Sequence, residues 1–447
     1  MIPVVTPDEM AAIDRAAPEP VEQLIARAGH AVALRALSMM GGAYGRRVVI
    51  VAGKGNNGND GRDAARRLRQ RGVRVEVRDA AASDPIGSCD LVVDAAYGTG
   101  FHGEYHAPDV GGAPVLAVDI PSGVNGLTGD AGPGAVDADV TVTFAALKPG
   151  LLFPPGGDLV GDVEVADIGL DCSSATCHVI ERHDVAAWLP HRATDTHKWK
   201  SAIWIVAGSP GMTGAAALAC GGAQRAGAGY VRLSSPGPDA AVSAPIEVVR
   251  TPLPHIEWAS AVLDGIGRFH ALIVGPGLGT DPATAPTVQR VVKESPVPTV
   301  VDGDGLTALG ADVARFTHPL SVLTPHDGEF ARLTGHAPGA DRITAARELA
   351  RQTHATVVLK GATPVVAGPD GHALLVTTGD ARLATAGTGD VLSGLIGGLL
   401  AQGMHPFRAA AAGAWLHGHA STLGPRRGLV ASDLLDLLPI VFDEVER

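Results

Sequence analysis

The stretch Val48-Val49-Ile50-Val51-Ala52-Gly53-Lys54-Gly55-Asn56-Asn57-Gly58-Asn59-Asp60-Gly61 decides the fold class of this 447-residue chain. Its first five residues form a continuous apolar run, which is typical of a strand buried on both faces. A loop rich in glycine and asparagine follows, and residues 62–70 then have a helical pattern. An Asn-Gly pair often marks a β-hairpin, but a hairpin would need a second strand at this point. The stretch therefore predicts a strand, a phosphate- or nucleotide-binding loop and a helix of a doubly wound α/β sheet.

Strand-length apolar runs recur through the rest of the first half. Two helices are predicted within residues 8–40, and further strands are predicted at 73–77, 91–94, 115–119, 140–144 and 163–168. Two of these strands end on an acid, Asp94 and Asp119. Because ligands bind outside the carboxyl ends of strands in open α/β sheets, both acids are candidate site residues.

A second α/β series begins after residue 196. Apolar runs at 203–207, 272–275, 299–302, 321–324 and 356–360 alternate with helical stretches. This alternation predicts a mostly parallel sheet covered on both faces. A chain of this length suggests two domains, and we place them at residues 1–180 and 181–447.

The composition restricts the class of protein. Hydrophobic residues make up 46% and charged residues 18%, as in a well-buried globular protein, and the net charge of −12 argues against nucleic acid as a partner. The four cysteines form no CxxC pair, and the longest apolar runs fall short of the ~20 residues that span a bilayer. The first residues lack the pattern of a signal peptide. We therefore expect a cytoplasmic protein without a membrane partner.

In the second half, Gly387-Thr388-Gly389-Asp390 stands directly before the apolar run 391–400. Small residues allow backbone N–H groups to approach a ligand, and a helix N-terminus attracts anions. The motif therefore predicts a phosphate cradle that contains one acid. Asp390 is also explained by helix capping, because aspartate is favoured in a first helical turn. Loops at 275–279, 324–330 and 359–363 also follow buried strands.

Three ordered motifs of the first half resemble the signatures of the NAD(P)H-hydrate epimerase domain, also called the YjeF N-terminal domain. They are GKGNNGNDG at 53–61, DAAYGTG at 94–100 and VDIPSGVNG at 118–126. The resemblance runs from about residue 6 to residue 170. It implies a Rossmann-like doubly wound sheet as the first domain.

This resemblance also implies roles for individual residues. The substrate would be held by Asn56, Asn57, Gly58, Asn59, Asp60, Gly98, Thr99, Gly100 and Asp119. Asp119 is in addition our candidate acid/base for epimerisation. A potassium ion would be bound by Asn57, Asp94 and Ser122, whose oxygens are hard ligands suited to a hard cation. The family usually has glycine at the position of Asn59, and asparagine tolerates a left-handed backbone better than most residues.

The second half, from about residue 197 to 438, resembles the ADP-dependent NAD(P)H-hydrate dehydratases of the ribokinase-like superfamily. Its motifs include GPGLG at 275–279, TPHDGEF at 324–330, KGAT at 360–363 and GTGD at 387–390. Two departures are the sequence DGDG at 302–305, where the family prefers alanines, and Asp327, where it prefers proline. The resemblance implies a ribokinase-like α/β/α sandwich as the second domain.

The second resemblance implies two sets of contacts. Residues for the hydrated nicotinamide nucleotide would be Ala215, Gly277, Gly279, His326 and Asp390. Residues for the adenine nucleotide would be Lys360, Gly361, Ala362, Thr363, Pro364, Gly387, Thr388 and Gly389. Asp390 is the candidate general base, and Mg²⁺ would accompany a phosphoryl transfer.

Together the two halves imply a bifunctional repair enzyme for hydrated NADH and NADPH, and we expect a homo-oligomer. The first domain would interconvert the R and S epimers, and the second would dehydrate the S epimer with ADP, which gives AMP and phosphate. Two alternatives stay open at this point. The second domain is also compatible with a ribokinase-like small-molecule kinase, and the first with a non-catalytic nucleotide-binding module.

Overall fold

The computed structural model describes residues 1–101, 103–237 and 244–447. The chain forms two compact units, one of residues Ile2–Cys177 and one of residues His178–Arg447 together with Met1. Each unit has its own sheet and its own hydrophobic core. No helix in the described part of the chain combines the length and the apolar character needed to cross a membrane.

The first unit has a six-stranded parallel sheet. Its elements in chain order are β1 (Ile2–Val4), α1 (Pro7–Ala16), α2 (Val21–Met40), β2 (Arg47–Ala52), α3 (Asn56–Gln70), β3 (Arg74–Asp79), β4 (Leu91–Ala95), β5 (Val115–Val118), β6 (Val140–Phe144) and β7 (Asp162–Ala166). The strand order in the sheet is β3-β2-β4-β5-β6-β7. Helices α2 and α3 contact each other and cover one face of this sheet. A core of mainly aliphatic residues lies between these helices and the sheet.

Helix α3 begins earlier than the sequence predicted. We expected the loop to run through Gly61, but α3 begins at Asn56 and the asparagines lie in its first turn. The glycines permit this early start, because a Cβ on Gly58 would overlap the carbonyl oxygen of Gly53. Asn59 is correspondingly helical and does not need the left-handed backbone that we had considered.

The second unit is built on a longer, mixed sheet. Its elements are β8 (Cys177–Val179), α4 (Arg182–Trp188), β9 (Ala202–Val206), α5 (Thr213–Arg225), β10 (Tyr230–Ser234), β11 (Val249–Arg250), α6 (Ala259–Gly265), β12 (Ala271–Val274), α7 (Ala285–Glu294), β13 (Thr299–Val301), α8 (Asp304–Leu309), β14 (Ser321–Leu323), α9 (Asp327–Thr334), α10 (Arg342–Thr353), β15 (Thr356–Leu359), β16 (Val365–Ala367), β17 (Ala373–Leu375), α11 (Thr388–Ala401), α12 (Pro406–Leu423) and α13 (Asp433–Glu446).

The sheet of the second unit has the order β8-β17-β16-β15-β14-β13-β12-β9-β10-β11. Neighbouring strands from β15 across to β11 at the edge of the sheet are parallel. Strand β16 pairs antiparallel with both β15 and β17. Helices α5, α11, α12 and α13 pack around one core on one face. Trp204 and Leu272 point to the opposite face and are equally buried, so both faces are covered, as the apolar runs predicted.

Helices α5 and α11 are packed closely enough that glycine is required at their contact. A Cβ on Gly394 of α11 would overlap the carbonyl oxygen of Ala219 in α5, and a Cβ on Gly222 of α5 would overlap that of Val391. Because α11 carries the Gly-Thr-Gly-Asp motif at its start, this contact fixes where the motif lies relative to α5.

We expect Gly394→Ala to destabilise the second unit. Overpacking a well-filled contact costs about 1–3 kcal/mol, which exceeds the gain of about 1 kcal/mol from replacing a helical glycine by alanine. Thermal unfolding of the full chain measures the effect. The matched control is Gly267→Ala, because a Cβ at Gly267 meets no atom within 4 Å. Equal melting curves for the two variants would contradict the proposed close contact.

Candidate active sites

The first unit contains a cavity of about 850 Å³ at the carboxyl end of its sheet. Residues of the predicted substrate site that line it are Asn56, Asn57, Asp60, Gly98, Thr99, Gly100 and Asp119. The lining does not include Gly58 or Asn59. Gly58 is buried against Gly53, and the Asn59 amide oxygen lies 3.5 Å from the Arg62 guanidinium. The structure therefore brings together seven of the nine residues predicted to hold the substrate, and the Asn59 side chain does not narrow this cavity.

Asp119 follows β5 in a conformation that is uncommon for a residue with a side chain, with φ at 69°. One carboxylate oxygen lies 2.6 Å from the Lys148 ammonium and accepts a 3.2 Å hydrogen bond from Thr143. Lys148 is 1% exposed and also donates to the Phe144 carbonyl. The other carboxylate oxygen of Asp119 lies 3.4 Å from the Thr99 backbone nitrogen, beside the cavity. An unusual backbone held by an ion pair is typical of a functional residue.

Lys148 was not among the predicted site residues, although it lines the cavity and contacts the candidate acid/base. It follows the buried strand β6, so strand-end placement was the available signal. In the first half, the strand-end residues predicted from the sequence were acids, and Lys148 had no predicted role. The pairing with Asp119 is a long-range contact, which the local sequence does not encode.

Asp60 lies in α3, is 8% exposed and also lines the cavity. Burial raises the pKa of its carboxyl to about 8, and the nearby carboxylates of Asp119, Asp63 and Asp14 add to the shift. Burial and Asp119 likewise raise the pKa of Asp14, against the effect of Lys148. The cavity therefore contains a protonated acid and an ion-paired carboxylate at neutral pH, an arrangement suited to acid/base chemistry.

Of the three predicted potassium ligands, Asp94 and Ser122 are hydrogen-bonded to each other, whereas the Asn57 amide is buried without a hydrogen-bond partner among the described residues. The Asp94 carboxylate accepts hydrogen bonds from the backbone nitrogen and the hydroxyl of Ser122, both at 2.7 Å. Burial raises the pKa of Asp94 to about 6. The side-chain amide of Asn57 is buried, and neither its oxygen nor its nitrogen has a hydrogen-bond partner among the described residues. Carboxylate, hydroxyl and amide oxygens fit the donor preference of a hard cation such as K⁺.

In the second unit, Asp390 lies in the first turn of α11, after Gly387 in a left-handed conformation with φ at 91°. The first N–H groups of a helix have no acceptor within the helix, so this turn can bind an anion. Burial raises the pKa of Asp390 to about 7; Asp302, Asp304 and Glu329 add to the shift, and Lys360 opposes it. Asp390 can therefore accept a proton near neutral pH. The N-cap position of α11 is Gly387, which has no side chain to cap the helix.

Lys360, a predicted nucleotide contact, has its ammonium 2.8 Å from the Asp302 carboxylate and 3.8 Å from that of Glu329. Asp302 is 3% exposed and also accepts hydrogen bonds from Thr324 and Ser393, each at 2.7 Å. In the sequence, Asp302 ends the apolar run 299–302 and belongs to a departure from the family pattern, and we gave it no role. Like Asp119, it directly follows a buried strand, and that placement was the signal.

The predicted contacts of the nicotinamide nucleotide form two groups, one around Gly277 and one at the start of α9. A Cβ on Gly277 would be 2.9 Å from the Cβ of Ala215, and the Gly279 nitrogen donates to Asp304 at 2.8 Å. In the second group, His326 caps α9 and lies 3.6 Å from Glu329, which approaches Lys360. The Asp304 and Glu329 carboxylates, one in each group, both raise the pKa of Asp390.

Arg342 lies against the predicted nucleotide loop and was not identified from the sequence. It donates to the Lys360 carbonyl oxygen at 2.7 Å and to both carboxylate oxygens of Asp327. A Cβ on Gly361 would lie 2.8 Å from its guanidinium. Asp327, which stands where the family prefers proline, thus has a structural partner.

The glycines of the sequence DGDG at 302–305, where the family prefers alanines, are required by the backbone. Gly303 has a φ of 55°, and a Cβ on Gly305 would lie 2.6 Å from the Val274 carbonyl oxygen.

The stability of the first unit should fall as pH rises from 5 to 8. The pKa of Asp60 is raised from an ordinary value of 3.8 to about 8, so the folded state binds the proton more tightly than the unfolded state. Asp60→Asn cannot ionise and should remove much of this fall, as measured by thermal unfolding at several pH values. Asp90→Asn is the control, because hydrogen bonds from Arg47 and Arg46 lower the pKa of Asp90, so it titrates below this range. An unchanged slope in Asp60→Asn would contradict the buried, protonated state.

Family models match both halves of the chain. A model described as NAD(P)H-hydrate dehydratase matches residues 203–441, and one described as YjeF-related protein N-terminus matches residues 21–86 and 78–150. A dehydratase from Bacillus subtilis, co-crystallised with ATP and Mg²⁺ and described as ADP/ATP-dependent, is 31% identical with a TM-score of 0.53, covering 60% of this chain and 98% of its own. A ribokinase-like superfamily protein from Enterococcus faecalis, at 20% identity and a TM-score of 0.53, supports the fold alone.

Curated relatives match over nearly the whole length. The bifunctional NAD(P)H-hydrate repair enzyme of Moorella thermoacetica is 38% identical over 90% of this chain and 88% of its own. That of Escherichia coli is 33% identical over 93% of this chain and 88% of its own. The two resemblances found in the sequence and the predicted fold class are thereby confirmed, and the chain belongs to the family of bifunctional NAD(P)H-hydrate repair enzymes.

Proposed function

We propose that this chain restores NADH and NADPH from their hydrates in two steps, one in each unit. The first unit interconverts the R and S epimers, and the second removes water from the S epimer at the expense of ADP, which gives AMP and phosphate. The observation that carries the second step is the position of Asp390, a half-buried acid with a pKa raised to about 7 in the first turn of α11. Membership of the repair-enzyme family supports both steps.

In the second unit, the substrate hydroxyl is a poor leaving group until it carries a phosphoryl group. Asp390 accepts the hydroxyl proton while the hydroxyl oxygen attacks the β-phosphorus of ADP, and the bond to the AMP oxygen breaks. The ring-nitrogen lone pair then expels phosphate, and loss of a proton from the adjacent carbon restores the dihydronicotinamide. The N–H groups at the start of α11 stabilise charge on the transferred group.

The nucleotide is proposed to lie against residues 360–364 and 387–389. The Lys360 ammonium is committed to Asp302, so the loop after it would bind ADP mainly through backbone groups and the adjacent Arg342. Mg²⁺ would accompany the diphosphate and supply charge neutralisation for it.

In the first unit, Asp119 is the proposed base and the buried acid Asp60 a second proton-carrying group in the same cavity. Lys148 holds the Asp119 carboxylate in place, and Asn56 and Asn57 lie where the substrate phosphates would bind. Asn57, Asp94 and Ser122 would hold K⁺, which would neutralise the buried Asp94 and satisfy the Asn57 amide oxygen. A homo-oligomeric state, a cytoplasmic location and the lack of nucleic-acid and membrane partners belong to the same proposal, and the net charge of −12 argues against nucleic acid.

Asp390→Asn should lower dehydration of the S hydrate by about 10²- to 10⁴-fold, the usual contribution of a general base. ADP binding should be nearly unchanged, because the backbone N–H groups of the turn remain. Recovery of reduced-nicotinamide absorbance measures the first quantity and calorimetry the second. The matched control is Asp312→Asn, an exposed carboxylate paired with Arg315, which should keep full activity. Unchanged turnover of Asp390→Asn would remove this residue from its role.

Asp119→Asn should abolish epimerisation and leave dehydration intact. With ADP and a mixture of epimers, this variant should consume the S hydrate at the normal rate and then continue only as fast as spontaneous epimerisation allows. The surface variant Asp90→Asn controls for the change of an aspartate in the same unit. Complete conversion by Asp119→Asn at the wild-type rate would contradict the assignment.

A further inference from the structure

We propose that Asp302 is a positioning residue of the dehydratase site, whose buried carboxylate holds Lys360 and the start of α11 in register and compensates the Lys360 charge beside Asp390. This inference rests on the proposed function of Asp390. It assigns a role to an acid that was not among the predicted site residues. The carboxylate acts through its neighbours and not on the substrate itself.

The first observation is the number of elements that one carboxylate joins. Asp302 stands at the end of β13, and its oxygens accept hydrogen bonds from Thr324 after β14, from Lys360 after β15 and from Ser393 in α11. Three adjacent strand ends and the catalytic helix therefore meet at one side chain. Ser393 lies one helical turn after Asp390, so this hydrogen bond limits rotation and sliding of the turn that carries the base.

The second observation is the position of the Lys360 ammonium. It lies under the first turn of α11, where a Cβ on Gly389 would be 3.4 Å from its nitrogen and 4.0 Å from the Asp302 carboxylate. A positive charge at a helix N-terminus is unfavourable by itself, because the helix dipole is positive there. The Asp302 carboxylate compensates this charge and fixes the lysine next to the residue that precedes the base.

The third observation is the balance of charge around Asp390. The charged groups that act on its pKa are Asp302 after β13, Asp304 in α8 and Glu329 in α9, which raise it, and Lys360 after β15, which lowers it. His417 of α12 is close to Lys360 but uncharged, because burial lowers its pKa to about 4. Three carboxylates thus outnumber one ammonium. Removal of the Asp302 charge would leave Lys360 facing Asp390 without its closest counter-ion, and the proton affinity of Asp390 would fall.

A purely structural role would not require a charge. Burying an ion pair costs desolvation free energy that the attraction between the two charges often fails to recover, and apolar replacements are often equally stable. The Asp302 pair is nevertheless fully hydrogen-bonded and lies directly beside the proposed base. Its position favours an electrostatic function in the reaction over a contribution to stability.

The test is the pH profile of kcat for dehydration in Asp302→Asn. Asparagine has a similar shape and keeps one oxygen acceptor but has no charge. We expect the acid limb of the profile, near pH 7 in the wild type, to move down by at least about one pH unit, as expected when one of several close charges is removed. kcat should fall about 10-fold or more, because the weaker base drives proton transfer less. Ser393→Ala and Thr324→Val lose one hydrogen bond but keep the charge, so they should lower kcat without moving the limb.

A second measurement separates this inference from the repair activity. Carboxyl NMR signals are followed in full-length protein labelled with ¹³C at its aspartates. The signal that is absent in Asp390→Asn belongs to Asp390, and its pH titration needs no substrate. We expect a midpoint near pH 7 in the wild type and a lower one in Asp302→Asn. If that variant does not fold, Asp304→Asn should give a smaller shift in the same direction. An Asp390 midpoint that does not move in the folded charge-removing variant would overturn the proposal, even if repair activity is confirmed.

Discussion

Both sites depend on one constraint, the close approach of backbone segments near the start of a helix. In the first unit, α3 can begin at Asn56 only because Gly58 has no Cβ to overlap the Gly53 carbonyl. In the second, α11 lies against α5 through Gly394 and begins after a left-handed Gly387. Each helix start then places donor groups and an acid beside a strand end, where a phosphorylated ligand can bind.

The two sites use burial and charge in similar ways to make aspartates that exchange protons near neutral pH. In each unit a lysine is paired with an aspartate at a strand end: the buried Lys148 with Asp119, and the partly exposed Lys360 with Asp302. A second aspartate, on the helix that starts nearby, has a raised pKa: about 8 for Asp60 and about 7 for Asp390. The two pairs differ in where the aspartate lies. In the first unit the paired acid lines the cavity, whereas in the second it is buried beneath the proposed base.

The sequence predicted the parts of this arrangement that are local. Apolar runs located most of the parallel strands but not β10 and β11. Glycine-rich motifs located the loops, and strand-end placement identified Asp94 and Asp119 as candidates. It did not predict the antiparallel β16 and β17, which are only three residues each, or the early start of α3. Asparagine and glycine have low helix propensity, so a helix start at Asn56 depends on tertiary contact with β2.

The partners that complete the sites could not be predicted for a related reason. Lys148 contacts an acid 29 residues away, and Lys360 contacts one 58 residues away, so neither pair has a local sequence pattern. Arg342 reaches the nucleotide loop from a different helix. Conversely, the pattern predicted Asn59 as a substrate contact, whereas its amide faces Arg62 and it does not line the cavity.

The most direct test of the account is the extent and products of the reaction with a mixture of both hydrate epimers, ADP, K⁺ and Mg²⁺. If the chain is a bifunctional repair enzyme, reduced-nicotinamide absorbance should be recovered completely, with one AMP and one free phosphate formed for each hydrate consumed. A stable phosphorylated product without free phosphate would indicate a kinase. A reaction that stops when the S epimer is exhausted would contradict the assignment of epimerisation to the first unit, and no recovery with either ADP or ATP would contradict the account as a whole.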